Sequence, residues 1–196
     1  IYEDIGSHKS IAYILKYNEK ELRQPTHSVK LASNNFKGSK GVVGIIGAGN
    51  FTKMTLLPAL KKSGARLKYI ASQGGLSSTL LAKKYGIMIS TTDYKEIIKD
   101  EDVDLVFITT RHNLHAEMVI ESLNAGKNVF VEKPLALNEK ELERIIISYQ
   151  KSGKTLTVGF NRRFSPHIEK IKSIVGNAQM NVIVTINAGY IPSNAW

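Results

Sequence analysis

Short apolar runs alternate with longer amphipathic stretches from residue 41 onward. The runs predict five buried strands, at residues 42–46, 67–72, 105–109, 128–131 and 155–159. The stretches between them predict helices at residues 50–62, 77–85, 113–125 and 138–151, with a capping box at Asn138 and Glu141 and glycine stops at Gly126 and Gly153. Uninterrupted apolar strands that alternate with helices are typical of an α/β protein with a doubly wound parallel sheet.

The two ends of the chain depart from this alternation. Residues 1–31 contain a strand-like run at residues 11–17 but too little apolar material to fold alone, and residues 32–40 have the polar, small composition of a linker. We therefore predict that residues 1–31 are the tail of a preceding domain and that the sheet occupies residues 41–160. Residues 161–196, with a helix at Pro166–Val175 and a β-rich run at residues 181–187, predict the start of a second, α+β domain.

The composition argues against several classes of function. The 196 residues include no cysteine, so disulfides, thiolate metal ligands and cysteine nucleophiles are absent from the chain, and we expect no bound metal. The net charge of +10 is spread along the sequence without a basic stripe, so we expect no nucleic-acid partner. No apolar run approaches the ~20 residues that span a bilayer and no signal peptide is readable, so we expect a cytoplasmic protein without a membrane partner.

The first strand ends in a glycine-rich turn, Gly47-Ala48-Gly49-Asn50-Phe51-Thr52, that leads directly into a predicted helix. A strand, two closely spaced glycines and a helix N-terminus bring backbone N–H groups to a pyrophosphate, and this favours a Rossmann-type dinucleotide site. Thr52 stands where the fingerprint has a third Gly or Ala. The turn alone therefore leaves a second interpretation open, a tight strand-to-helix turn without a ligand.

The end of the second strand bears on the choice of dinucleotide. An NAD site usually has a carboxylate there for the ribose 2′-hydroxyl, whereas this chain has Ser72 and Gln73. These side chains do not repel a 2′-phosphate, yet no arginine follows to bind one. The sequence therefore predicts NAD or NADP as cofactor and leaves the preference open.

Polar residues follow the strand at residues 105–109, at the edge where open α/β sheets bind ligands. We expect Thr109, Thr110, Arg111 and His112 to line the dinucleotide. His115, in the first turn of the next helix, is either a further cofactor contact or a capping or packing residue. The pattern alone does not decide between these two roles.

The strand at residues 128–131 runs directly into Glu132-Lys133-Pro134. A lysine between an acid and a proline at the mouth of a buried strand has a fixed position. In a hydride-transfer enzyme it could hydrogen-bond the reacting hydroxyl or carbonyl oxygen. For the tripeptide alone, a surface ion pair at a turn is the alternative interpretation.

Four motifs in order, Gly47-x-Gly49-Asn50, Thr110 to His115, Glu132-Lys133-Pro134 and Gly159 to Pro166, resemble those of the glucose-fructose oxidoreductase and inositol dehydrogenase family (Gfo/Idh/MocA). The resemblance covers about residues 42–166 and implies an NAD(P)-dependent oxidoreductase of sugars, cyclitols or their derivatives, with Lys133 as the catalytic lysine. Pattern and resemblance together predict these cofactor-binding residues: Gly47, Gly49, Asn50, Phe51, Thr52, Ser72, Gln73, Thr109, Thr110, Arg111, His112, His115, Glu132, Lys133, Asn161 and Arg162.

The resemblance also implies what lies outside this chain. The family's catalytic histidine would lie beyond Trp196, so we expect the chain to bind cofactor without a complete catalytic site, and the full-length protein to be a homo-oligomer with a small sugar-like substrate. Residues 1–18 are similar to the closing helix and strand of zinc-type medium-chain alcohol dehydrogenases, which implies a bi-domain oxidoreductase. The alternative from a different class is a non-catalytic Rossmann module that senses nucleotides or acts as a scaffold.

Overall fold

The computed structural model describes residues 26–38, 40–177, 179, 181–187 and 189–190. The strand-like run at residues 11–17 and the alcohol-dehydrogenase resemblance of residues 1–18 lie outside the described residues and stay predictions.

A seven-stranded sheet forms the centre of the described chain. Its strands are β1 Ser28–Lys30, β2 Val42–Ile46, β3 Arg66–Ala71, β4 Ile89–Thr91, β5 Leu105–Ile108, β6 Asn128–Glu132 and β7 Leu156–Gly159. Their spatial order is β1-β4-β3-β2-β5-β6-β7, and neighbours are parallel except β1 with β4. The parallel strands form two halves that meet between β2 and β5, which confirms the predicted Rossmann-type doubly wound sheet.

Helices cover both faces of the sheet. They are α1 Leu57–Lys62, α2 Leu76–Tyr85, α3 Lys95–Lys99, α4 His115–Asn124, α5 Glu139–Ser152 and α6 Pro166–Val175, with a π-helical stretch at Thr52–Leu56 and 3₁₀ turns at His112–Leu114 and Asn161–Phe164. Leu57 of α1 and Ala82 of α2 share a buried cluster with Ile45. Val119 of α4 and Ile145 of α5 share the cluster on the other face.

The predicted strands and helices between residues 42 and 175 agree with the observed ones to within about two residues at each end, where the predicted helix at residues 50–62 is observed as the π-helical stretch followed by α1. The capping box is confirmed, because the Asn138 side chain accepts from the backbone N–H of Glu141 (3.0 Å) and the Glu141 carboxylate accepts from Leu137 (2.8 Å). The prediction misses β1, β4 and α3. These elements have 3, 3 and 5 residues, too few for a periodic pattern to develop.

Part of the segment before β2 belongs to the sheet. β1 pairs antiparallel with β4, placing Ser28 opposite Thr91, and the backbone N–H of Leu31 donates to the carbonyl of Met88 (2.8 Å). Phe36, in the segment predicted as a linker, is 7% exposed and packs in the cluster that contains Val42. The sheet domain therefore includes residues N-terminal to the predicted start at residue 41.

Residues 181–187, predicted as a β-rich run, form no strand in the described chain. A strand needs a partner for its backbone N–H and C=O groups, and no described strand pairs with this run. Its apolar side chains are exposed, Ile183 to 94%. The strand prediction is therefore wrong for the described chain, whereas α6 begins and ends at the predicted residues, Pro166–Val175.

A partly buried ion cluster lies near the amino-terminal ends of the strands, away from the predicted motifs. Lys68 Nζ is 2.7 Å from carboxylate oxygens of both Asp100 and Asp102, and the Tyr69 hydroxyl donates to Asp100 (2.8 Å). Burial opposes the charged form of Asp100, but the hydrogen bonds from Lys68 and Tyr69 outweigh it and lower the pKa of Asp100. The cluster thus stabilises the fold when the Asp100 carboxyl group is ionised.

We expect Asp100→Asn to lower the free energy of unfolding at neutral pH by about 2 kcal/mol, because buried Lys68 loses a charge-assisted hydrogen bond. Since the pKa of Asp100 is lower in the folded chain, this contribution is present above the unfolded pKa of about 4 and is lost as pH falls through the folded value. Urea unfolding from neutral to acid pH measures it, with exposed Glu101→Gln as control. A deficit in Asp100→Asn that does not shrink toward acid would contradict the assignment.

Candidate functional site

An open cavity of about 1030 Å³ lies at the carboxyl edge of the sheet. Its walls come from the turn after β2, the loop after β3 and the loop after β5. The parallel register brings these loops together, since Ile46 lies opposite both Ala71 and Ile108. The strand order reverses at this point, and doubly wound sheets bind their ligands there. Of the predicted residues, the cavity is lined by Gly47, Gly49, Ser72, Gln73, Thr109, Thr110 and Arg111.

The two glycines of the turn are needed for different reasons. Gly47 has φ +114°, and a Cβ there would lie 2.7 Å from the backbone and hydroxyl of Thr109, so the fold itself requires glycine. Gly49 lies outside the left-handed region, and a Cβ there would meet no atom within 4 Å. The fold thus leaves open space at Gly49 in the cavity wall, as a ligand that approaches the backbone requires.

Thr52, at the third position of the glycine motif, is fully buried and does not line the cavity. Its hydroxyl donates to the carbonyl of Gly47 (2.9 Å) and lies 2.7 Å from the hydroxyl of Thr109. The side chain therefore joins the turn to the end of β5. A buried threonine is tolerated where the fingerprint has Gly or Ala, because Gly47 and Thr109 supply hydrogen-bond partners for its hydroxyl.

The cavity wall after β3 is polar and carries no carboxylate. Ser72 donates to the hydroxyl of Ser78 (2.9 Å), and Gln73 and Ser77 lie beside it. Of the described residues that line the cavity, Arg111 alone has a charged side chain, and it is positive. This wall accommodates an anionic ligand without repulsion.

The sequence prediction missed several cavity residues, including Thr92 and Tyr94, which follow β4. The Tyr94 hydroxyl donates to Glu121 (2.9 Å), and burial together with this bond raises the pKa of Tyr94 to about 12. The short apolar run after Gly86, which leads into β4 at Ile89, was the available signal. Other missed lining residues are Ile46, Ala48, Ala71, Gly74, Leu76, Ser77, Asn113, Leu114 and Met118.

Glu132 ends β6 opposite Gly159 of β7, and Lys133 follows it with an exposed side chain. Neither lines the cavity; both lie at the same sheet edge, one strand beyond β5. Glu132 Oε1 is buried and has no hydrogen-bond partner among the described residues. Burial raises the pKa of Glu132 against the lowering effect of the Lys133 charge. A buried carboxylate oxygen without a donor suits a ligand hydroxyl such as that of a ribose.

We expect Glu132→Gln to raise the free energy of unfolding of the ligand-free chain by about 1 kcal/mol at neutral pH, because a buried charge is removed. The folded-state pKa of Glu132 is raised, so in the parent this penalty disappears as pH falls through that value, and the two proteins converge toward acid. Thermal unfolding against pH measures the difference, with exposed Glu143→Gln as control. A Glu132→Gln protein less stable than the parent at neutral pH would contradict the account.

His115 is fully buried in the first turn of α4 and does not line the cavity. Its Nδ1 lies 2.7 Å from the carbonyl oxygen of Pro134, and its Nε2 lies 3.2 Å from that of Thr110. His112 contacts it edge-on, with ring centroids 5.7 Å apart. Burial, then the charges of His115 and Lys133, lower the pKa of His112.

The remaining predicted residues do not line the cavity. Asn50 is exposed just before the π-helical stretch that begins at Thr52, and Phe51 packs partly against the cluster that contains Leu57. Asn161 and Arg162 are exposed in the 3₁₀ turn directly after β7. All four therefore lie near the carboxyl edge of the sheet.

Neither a metal-ligand cluster nor a membrane-spanning helix is found in the described part of the chain. No three His, Asp or Glu side chains within it group in a way that could hold a metal ion. Likewise, none of its helices has the length and apolar character needed to cross a bilayer.

Comparison with known proteins identifies the family. A family model for Gfo/Idh/MocA proteins, described as an oxidoreductase family with an NAD-binding Rossmann fold, matches residues 42–160. The chain belongs to this family. The resemblance indicated by the four motifs is thereby confirmed, as is a nicotinamide dinucleotide as the class of cofactor.

This chain aligns with only part of the length of each individual relative. The uncharacterized oxidoreductase YrbE of Bacillus subtilis (strain 168) is 36% identical over 139 residues, which is 71% of this chain and 41% of YrbE. The myo-inositol 2-dehydrogenase of Thermotoga maritima is 39% identical over 97 residues, 50% of this chain and 29% of that protein. KijD10, a 3-ketoreductase from Actinomadura kijaniata solved in complex with NADP and TDP-benzene, has a TM-score of 0.63 at 27% identity, covering 68% of this chain and 41% of KijD10. This chain thus spans less than half the length of these relatives.

Proposed function

We propose that this Gfo/Idh/MocA chain is the cofactor-binding part of an oxidoreductase that transfers a hydride between a nicotinamide dinucleotide and a sugar, cyclitol or nucleotide-sugar derivative. The observation that carries the proposal is the cavity at the carboxyl edge of the sheet, with open space at Gly49 and a positive side chain at Arg111. The substrate class is supported by the names of two relatives, a myo-inositol dehydrogenase and a 3-ketoreductase solved with TDP-benzene.

The proposed roles follow the positions of the residues around the sheet edge. The turn that contains Gly47 and Gly49, with Asn50 and Phe51 after it, holds the pyrophosphate, and Ser72 and Gln73 lie beside the adenosine ribose. Thr109 to His112 border the dinucleotide, the unpartnered oxygen of Glu132 accepts from the nicotinamide ribose, and Asn161 and Arg162 lie on the cofactor side of the cleft. When bound, the nicotinamide ring supplies or accepts the hydride.

Lys133 is the catalytic residue that this chain contributes. Its side chain is exposed at the mouth of β6, so the ammonium can donate a hydrogen bond to the reacting oxygen of a substrate above the sheet edge. Such a bond stabilises negative charge that develops on that oxygen. The proton itself is exchanged with a histidine of the substrate domain, which we place beyond residue 196.

We further propose that residues 161–196 begin this substrate domain and that the residues before β1, within the predicted tail at residues 1–31, end a preceding alcohol-dehydrogenase-like domain of one cytoplasmic, homo-oligomeric polypeptide. The relatives' greater length is consistent with a further domain. The apolar face of α6 also supports it, since Ile168, Ile171 and Ile174 follow helical spacing and are 45%, 52% and 72% exposed. A further domain is the element that would cover this face.

Calorimetric titration of this chain with NAD⁺ and with NADP⁺ tests the binding half of the proposal. We expect saturable binding of at least one of them and no reduction of either by a panel of inositols, hexoses and nucleotide sugars, because the substrate wall is absent. Saturation with neither dinucleotide would contradict the proposal and favour a non-catalytic scaffold. Turnover of any of these substrates by this chain alone would contradict the proposal that its catalytic site is incomplete.

A further inference from the structure

The ring of His115 joins two loops of the candidate site. One ring nitrogen faces the carbonyl of Thr110, in the cavity wall after β5, and the other faces the carbonyl of Pro134, next to Lys133. The two strands are parallel neighbours in the sheet, with Ile108 opposite Val131, so both loops leave the same edge. The ring therefore spans from the cofactor wall to the catalytic turn.

The complete burial of His115 gives this bridge its effect. The side chain is 0% exposed, whereas the Thr110 and Pro134 residues that it faces are half-buried. A neutral ring donates its one N–H to one of the two carbonyls, and the imidazolium donates to both. Loss of the ring leaves a half-buried carbonyl oxygen without that donor, which costs more than the contact itself contributes. An apolar residue of the same size would fill the space without holding either loop.

We propose that His115 is a positioning residue that fixes the Pro134 carbonyl, and with it Lys133, relative to Thr110 in the wall of the cofactor cavity. The proposal rests on the proposed roles of Lys133 and the cavity. It assigns His115 no contact with the cofactor, because the residue does not line the cavity. The competing explanation is that the ring only fills space under α4.

Three substitutions separate the two contacts of the ring. His115→Asn keeps a donor near the position of Nδ1 and thus the contact to Pro134. His115→Gln reaches the position of Nε2 and keeps the contact to Thr110. His115→Phe keeps the ring and removes both contacts. His167→Asn, on the exposed helix α6, is the matched control.

Amide hydrogen exchange of the ligand-free chain measures the result. We expect His115→Phe to raise exchange about tenfold in both residues 108–112 and residues 132–137. His115→Asn should raise it mainly in the first segment and His115→Gln mainly in the second, while β2 and the control remain unchanged. The Asn and Gln variants carry the test even if His115→Phe does not fold.

Two outcomes would overturn the proposal. If His115→Phe exchanged like the parent while His115→Asn and His115→Gln loosened both segments equally, the ring would only fill space. If no variant changed exchange in either segment, the contacts would hold nothing in place.

A second readout follows function in the full-length enzyme. We expect His115→Gln to lower kcat about tenfold with the KM for the dinucleotide unchanged, and His115→Asn to raise that KM with a smaller change in kcat. If both variants changed kcat and the KM for the dinucleotide to the same extent, the two ring contacts would not position the two loops separately. The exchange experiment needs no cofactor, so failure of the parent to bind NAD⁺ or NADP⁺ would overturn the proposed function and leave the exchange result to decide the role of His115.

Discussion

Gly49→Val is expected to abolish binding of NAD⁺ and NADP⁺ to this chain while leaving its thermal midpoint almost unchanged. The backbone at Gly49 is outside the left-handed region and a Cβ there meets no atom within 4 Å, so the ligand-free fold accepts the side chain. The same side chain projects from the cavity wall, where the phosphates need to approach the backbone. We expect the Kd to rise at least ~100-fold, equivalent to ~2.7 kcal/mol.

Gly47→Ala is the matched contrast, two residues away in the same turn. At φ +114°, with its Cβ 2.7 Å from Thr109, alanine there should lower the free energy of unfolding by about 3 kcal/mol or more. Thermal unfolding and calorimetric titration of both variants measure the two effects separately. A Gly49→Val protein that is stable and still binds dinucleotide like the parent would contradict the assignment of the pyrophosphate to this turn.

Lys133→Ala in the full-length enzyme is expected to lower kcat by about 10²–10⁴-fold. The reason is that the ammonium would no longer donate to the reacting oxygen, which then carries its developing charge without a partner. The side chain is exposed in this chain, so its removal should change neither the thermal midpoint nor the binding of the dinucleotide by more than a small factor. Steady-state kinetics with the enzyme's own substrate, together with cofactor titration, measure the three quantities.

Lys140→Ala, an exposed lysine in the first turn of α5, is the control for the loss of a positive charge near this edge. It should leave kcat at the parent value. If Lys133→Ala turned over substrate at the parent rate, the catalytic role assigned to Lys133 would be wrong, even if cofactor binding were confirmed.

The sequence was sufficient to predict features that depend on neighbouring residues. The strand that ends just before Gly47 and the capping box of Asn138 and Glu141 are local patterns, and the structure has both. The cavity residue Tyr94 was missed because it follows β4, a strand of 3 residues whose existence depends on pairing with β3 and β1. Short elements are decided by tertiary pairing rather than by periodicity.

The positions of two predicted cofactor contacts depended on distant partners. Thr52 is held by Thr109, 57 residues later in the chain, and His115 by Pro134, 19 residues later. Neither partner can be inferred from spacing, because the first contact needs β2 paired with β5 and the second needs β5 paired with β6. Sequence motifs thus indicated the sheet edge at which the cavity lies, but not which residues of that edge line it.

Chemical-shift mapping of this chain with NAD⁺ and NADP⁺ tests most directly whether the dinucleotide lies over the carboxyl edge of the sheet. We predict that amide resonances of Gly49, Gln73, Thr110 and Lys133 shift on saturation, while those of Lys68 and Asp100 near the opposite edge do not. Gly49→Val should remove the shifts. Saturable shifts confined to the Lys68 and Asp100 edge, or none with either dinucleotide, would contradict the account.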